Sequence, residues 1–252
     1  MILIKSPAEL DRMRHASGIV GKTLKKVKEF AGEGVTTKEL DRFAESIIRK
    51  EGGKPAFKGY KGFPATLCVS IDDEVVHGIP SARRLKDGEL ISVDVGVFFD
   101  GFFGDAATSF GIGKMSPSAQ KLMEITEKAL LRGIDQARAG RNLSDISHSV
   151  QTWVEENSFS VVKAFVGHGI GASLHEDPQI PNFGPPGQGP VLQPGMVFAI
   201  EPMVNIGKPD VHVLEDNWTV VTADGSLSAH FEHTVLVTDG SPEIFTTRIN
   251  SS

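Results

Sequence analysis

The stretch that most constrains this chain is residues 89–110, ELISVDVGVFFDGFFGDAATSF. Asp100-Gly101 lies between two runs rich in β-branched and aromatic residues, the strongest short hairpin signal a sequence offers. A two-residue turn there puts Phe99 opposite Phe102 and Gly96 opposite Asp105. Side chains two apart share a strand face. Asp94 and Gly96 therefore point the same way, and Asp94 and Asp105 become diagonal neighbours. Two buried carboxylates that close repel, and each loses hydration. No lysine or arginine lies within 89–110, so a cation from outside the local chain is the natural counter-charge. An edge hairpin with solvated aspartates would give the same local pattern, and the rest of the chain has to decide between the two.

The chain has room for a core. Its 252 residues are 40% hydrophobic, enough for one large domain or two fused halves. A net charge of −6 gives no global case for nucleic-acid binding, so no DNA partner is expected. Cys68 is the single cysteine, which excludes an internal disulfide and fits a reducing cytoplasm. The segment MILIKSPAEL has no extended apolar run, so neither a signal peptide nor a membrane span is expected.

Helix signals recur in pairs. Ser6-Pro7-Ala8-Glu9 combines an N-cap, a first-turn proline and a capping-box glutamate. Lys22, Lys25, Lys26 and Lys28 near that helix's end read as a solvated face, or as contact with an acidic partner such as ribosomal RNA. A second helix is expected over Thr37–Lys50. Ser116-Pro117 opens a third, to about Ala139, and Asn142 starts a fourth, to about Glu156. The Pro/Gly-rich stretch 181–190 reads as a loop rather than a domain boundary, because strand-like sequence resumes at once. Continuous strand character is expected over 161–178, 194–204, 218–221 and 229–237.

The order helix, helix, glycine-rich loop, strands occurs twice, giving pseudo-repeats at about 1–114 and 115–252 within a single domain over 1–252. Shifted by 107 positions, residues 87–94 align with 194–201, so that Asp94 falls on Glu201. Asp105 and Glu232 are the later acids of each half. His168, between Gly167 and Gly169, adds an imidazole where the backbone can bend and approach closely. Singly, each is an ordinary turn, edge or core residue. Together they are four carboxylates and one histidine, without an HExxH helix or a CxxC pair. Such an oxygen-rich set suits Mn²⁺, Fe²⁺, Co²⁺ or Zn²⁺. Five ligands exceed the usual three of one catalytic zinc. Two cations roughly 3.5–4 Å apart would account for the count.

With EVVHGIP at 74–80, SVDVGVFFDGFFGDAA at 92–107, GHGIGASLHEDP at 167–178, AIEPM at 199–203 and HFEHT at 230–234, the chain resembles the type I methionine aminopeptidases, in their short bacterial form. The resemblance implies the pita-bread fold, an α+β architecture of two pseudo-symmetric halves around a curved, mainly antiparallel sheet covered by helices. It also implies a metalloaminopeptidase that removes the initiator methionine of nascent chains, preferably before a small second residue. Asp94, Asp105, His168, Glu201 and Glu232 would hold two divalent ions (Co, Mn, Fe or Zn), which would activate a water for attack on the first peptide bond. Glu201 would shuttle the proton, His175 would contact the scissile peptide, and His77 would lie towards the second residue. Tyr60, Phe63, Cys68 and Trp218 would line the methionine pocket, with Phe57 and Met203 nearby. Phe57 and Leu174 depart from the family's commoner residues and bear on the pocket's shape. Cys68 also has a reading as a nucleophile, a role that activated water already fills. A cytoplasmic monomer with transient ribosome contact is expected. The alternatives are an Xaa-Pro aminopeptidase and a non-enzymatic pita-bread module that binds peptides or ribosomes.

Overall fold

The computed structural model describes residues 2–247. The hairpin forms with the expected register. Strands Leu90–Phe99 and Phe102–Gly111 pair along all ten positions, with Phe99 opposite Phe102 and Gly96 opposite Asp105. Asp100 and Gly101 both have positive φ, 44° and 85°, as a tight turn matching strand twist demands. It is not an edge hairpin. Leu90–Phe99 also pairs on its other side with Leu67–Ile71 and Lys54–Pro55, so the solvated-aspartate reading fails.

Among the described residues four α-helices pack on the strands: α1 (Pro7–Phe30), α2 (Thr37–Lys50), α3 (Pro117–Gln136) and α4 (Leu143–Glu156). Their starts follow the capping chemistry. Glu9 Oε2 accepts from Ser6 N at 2.7 Å, Glu39 Oε2 from Thr36 N at 2.8 Å, and Asp145 Oδ2 from Asn142 N at 3.0 Å. Each closes an otherwise unpaired backbone donor. Helix α3 stops at Gln136 rather than Ala139. Arg138 instead bridges to Thr238, and Gly140 turns the chain with φ 84°. Val20, Leu24 and Val27 of α1 and Leu40, Ala44 and Ile48 of α2 pack with Val93, Val95 and Val97 in one core. The α3 and α4 residues Leu130, Ile134 and Ile146 pack with Phe198, Ile200 and Val235 in another.

The lysine face of α1 is less open than expected. Lys22 Nζ pairs with Glu51 at 2.6 Å, and Lys28 lies over the Phe110 ring.

Among the described residues all strand ladders are antiparallel, in sheets of four, three, three and five strands. In the second half the expected long strands are broken. Residues 161–178 yield only Ser160–Val161, Gly167–Gly169 and Glu176–Ile180. The ladder slips between His168 and Gly169, where a Cβ on Gly169 would collide with the Asp177 carbonyl. Residues 194–204 split into Val197–Ile200 and Met203–Asn205, because Pro202 has no N–H to give a ladder. Residues 229–237 split into Ser228–His230 and His233–Leu236. The strand expected at 218–221 is Val220–Thr222, which leaves Trp218 outside the ladder. The 181–190 stretch is a loop without helix or strand.

Candidate metal centre and pocket

One cavity of about 190 Å³ gathers every site residue named from the sequence except Met203. Met203 is fully buried among Val75, Val162 and Val220. It cannot touch a ligand, because its side chain faces the core behind the broken strand.

The floor is acidic. Asp94 lies mid-strand beside Cys68 and Ala107, and Asp105 faces Gly96 on the next strand. Glu201 and Glu232 enter from the two strand gaps. Glu232 is fixed by its N–H, which donates to Ala107 O at 3.0 Å. Thr234 Oγ1 clamps the Asp105 backbone, accepting from its N–H at 3.0 Å and donating to its carbonyl at 2.7 Å. Asn182 Nδ2 donates to Glu201 O at 3.1 Å.

Burial dominates the electrostatics. It raises the Asp94 carboxyl well above its ordinary range, helped by the Asp105 and Glu201 charges. Asp105 is pushed to about 7 by burial. Glu201 and Glu232 are raised by burial and then by Asp105. Asp94 Oδ1, Asp105 Oδ1 and Glu232 Oε1 are buried without a hydrogen-bond partner. Buried polar atoms are normally paired, so three orphaned carboxylate oxygens in one place call for a cation. Ligand atoms of Asp105, His168 and Glu232 lie within 4.8 Å of one another.

His168 is built to offer a lone pair. Its Nδ1 lies 2.8 Å from Gly169 O, so the Nδ1–H tautomer donates there and leaves Nε2 free, 3.5 Å from Glu201 Oε1. Burial and then His175 depress it to about 3, so the ring is neutral at pH 7. The donor set therefore fits hard-to-borderline divalent ions such as Mn²⁺, Fe²⁺, Co²⁺ and Zn²⁺.

Above the floor the wall is apolar. Phe63 meets Trp218 edge-on at 5.1 Å. The Phe57 ring occupies the space over Gly96, where an added Cβ would come within 2.6 Å of it. Leu174 and Cys68 complete this wall. Burial and the surrounding acids raise the Cys68 thiol well above its usual value, so it stays protonated and is a poor nucleophile. His77, with φ 62° just past Glu74–Val76, is depressed to about 4 by burial and then by His175.

His175 and Lys61 are the two solvent-exposed lining residues. His175 Nδ1 lies 2.9 Å from Tyr60 Oη, and its ring lies 4.2 Å from that of His168. Its pKa is lowered by burial and then by Lys61. The segment carrying His175 is tethered by a buried ion pair. Lys5 Nζ meets Glu176 Oε2 at 2.6 Å, while Glu176 Oε1 accepts from Ser173 N.

Sequence reasoning gave no role to Lys61, Lys5 or His230. His230 Nε2 is buried and unbonded, 3.9 Å from Glu201 Oε2. For Lys61 there was a signal, since it sits between the pocket residues Tyr60 and Phe63. Lys5 pairs across 171 residues, which no local pattern reveals.

The profile of metallopeptidase family M24 matches residues 11–239. Over 246 residues the chain is 54% identical to a methionine aminopeptidase of Clostridium perfringens, covering 98% of this chain and 99% of that protein. It is 52% identical to methionine aminopeptidase 1 of Bacillus subtilis, with the same coverage. A solved methionine aminopeptidase of Thermotoga maritima superposes with a TM-score of 0.96 at 44% identity, covering 98% of this chain and 99% of that one.

Proposed function

The chain belongs to metallopeptidase family M24, and on that footing we propose how its own residues carry out the family chemistry. It is a divalent-metal-dependent aminopeptidase that removes N-terminal methionine. Its fold is the pita-bread fold, and we take 1–252 as one catalytic domain of two pseudo-symmetric halves.

Asp94, Asp105, His168, Glu201 and Glu232 hold two divalent ions. The support for this is the cluster of orphaned, buried carboxylate oxygens beside a neutral imidazole lone pair. When bound, such ions polarise the scissile carbonyl and lower the pKa of water. The residues do the rest. Glu201 accepts a proton from the nucleophilic water on one carboxylate oxygen and delivers it to the leaving amine. Tyr60 Oη–H donates to His175 Nδ1, which leaves Nε2–H to donate to the peptide oxygen as negative charge develops there. Phe63, Cys68, Trp218, Leu174 and Phe57 enclose the methionine side chain, which is unbranched and carries no hydrogen-bonding demand. His77, neutral and lining the cavity, borders the second residue, and on this reading its ring limits that residue to a small side chain. The substrate's free N-terminal amine would also find a site on a bound ion, which would limit cleavage to the first residue.

No described helix is long and apolar enough to cross a membrane. We read the protein as a cytoplasmic monomer acting on nascent chains during transient ribosome contact.

The test is hydrolysis of Met-Ala-Ser, Leu-Ala-Ser and Ala-Pro-Ala by metal-stripped protein, then with Co²⁺, Mn²⁺, Fe²⁺ or Zn²⁺ returned. Release of methionine alone, and only with metal, is expected. Cleavage of Ala-Pro-Ala instead would move the chain to Xaa-Pro specificity. No hydrolysis with any metal would leave a binding module.

A further inference from the structure

Lys61 has no part in the chemistry above, yet it lines the same cavity. It is the one lining residue with a fixed positive charge, and it is exposed at the rim. Among the described residues no salt bridge to Lys61 is found. Its ammonium lies 5.4 Å from the Tyr60 ring centroid. The backbone is specific too. Lys61 has φ 48° and ψ 24°, left-handed for a residue with a side chain, in a turn flanked by Gly59 at φ 90° and Gly62 at φ 92°. A non-glycine residue in that region carries a conformational cost that the surrounding structure has to offset. The conformation aims a long cationic side chain over the Tyr60 ring, whose hydroxyl meets His175.

The path of a bound peptide follows from the cavity's polarity. The first side chain fills the apolar wall, the scissile bond meets His175, and the small second residue passes His77. The chain then leaves past the exposed rim. Tyr60 Oη touches His175, and the Lys61 ammonium lies over the same Tyr60 ring. The Tyr60 ring links the ammonium to the group that faces the scissile bond, a span of at most about three residues of extended chain at about 3.3–3.6 Å each. That is the neighbourhood of the third residue.

We propose that Lys61 is a specificity-determining residue, favouring peptides with an acidic side chain at the third position and disfavouring basic ones. This rests on the aminopeptidase reading above. Two exposed acids, Glu215 and Asp216, precede the pocket residue Trp218 in the loop between the paired strands Val211–Val213 and Val220–Thr222. Asp216 is engaged by Trp218 N, Thr219 N and Thr219 Oγ1. The contribution of Lys61 is isolated by changing Lys61 alone.

The experiment compares kcat/KM for C-terminally amidated Met-Ala-Asp-Ser, Met-Ala-Asn-Ser and Met-Ala-Lys-Ser, using full-length, Co²⁺-loaded protein. At low salt the wild type should prefer Asp over Lys by about fivefold, through KM rather than kcat, since the charges meet in a high dielectric. The preference should shrink at about 0.5 M salt. Lys61→Gln should bring the ratio to within about twofold of unity, Lys61→Arg should keep it, and Lys61→Glu should invert it. A merely structural defect would lower all three peptides together and leave the ratio alone. An Asp-to-Lys ratio in Lys61→Gln equal to that of the wild type would overturn the proposal, as would a wild type without preference. Failure of the wild type to cleave even the Asn peptide would overturn the aminopeptidase reading and the inference with it.

Discussion

Asp94 and Asp105 sit inside ten-residue strands paired at every position, whereas Glu201 and Glu232 sit in two-residue gaps between short strands. Both pairs reach one cavity floor. On the hairpin side the ladder itself sets the carboxylate positions, and a one-residue slip would turn both aspartates to the wrong face. On the gap side no ladder holds the acids. Their backbone is fixed by single tethers, Glu232 N to Ala107 O and Asn182 Nδ2 to Glu201 O. The difference teaches that regular structure can place two acids on one face, but aiming further acids at the same point from the facing side requires irregular backbone.

The comparison can be broken most forcefully at the ligands. Asp105→Ala removes both carboxylate oxygens at once, and should lower kcat/KM on Met-Ala-Ser by on the order of 10³-fold or more and abolish cation binding. Glu201→Gln keeps an oxygen for the cation but removes the group proposed to carry the proton. It should cost about 10²–10⁴-fold in kcat while retaining measurable cation. If the two variants lose cation equally, the division of roles fails.

Next in size is the tether of the His175 segment. Lys5→Met leaves Glu176 buried without its partner, and should destabilise the fold by about 3–5 kcal/mol in urea denaturation. Adding Glu176→Gln should recover part of that loss, a coupling that independent sites would not show.

On the hairpin side, Gly96→Ala drives a Cβ into Phe57 and Ala56. It should cost about 1–3 kcal/mol, measured by the same denaturation, and weaken KM for methionyl peptides because Phe57 lines the pocket.

The smallest effect is in pH. Without cation, Asp105 is held at about 7 and the other three acids are also raised. Below its raised pKa such a group binds a proton in the folded state that a cation has to displace. The gain in Tm on adding Co²⁺ should therefore be small at pH 5 and grow as pH rises through about 7. The buried neutral histidines act in both samples and cancel from the difference. A gain independent of pH between 5 and 8 would show that the carboxylates are not the binding groups.

How much was legible in the sequence follows the same division. The hairpin register and the helix starts at Pro7, Thr37, Pro117 and Leu143 could be read, because turn and capping chemistry is local. The gaps at Glu201-Pro202 and Phe231-Glu232 could not, because apolar residues continue through them and the pattern reads as one strand. Their acids were still identifiable from the repeat and from the resemblance. Met203 was named near the pocket from the resemblance alone, and packing against Val75, Val162 and Val220 keeps it out of the lining. Lys5 and Glu176 pair through the fold alone. Lys61 owes its place to a turn held by two glycines, and residue type by itself does not tell a rim cation from a solvated one.

The most direct test of the account is the amount of divalent metal held by the chain. Protein stripped of metal, equilibrated with Co²⁺ at pH 7.5 and freed of excess should hold about two ions per chain by elemental analysis. Asp105→Ala should hold almost none while keeping the wild-type circular dichroism spectrum. A folded wild type that binds no cation would contradict the claim that the hairpin acids and the gap acids form one metal centre.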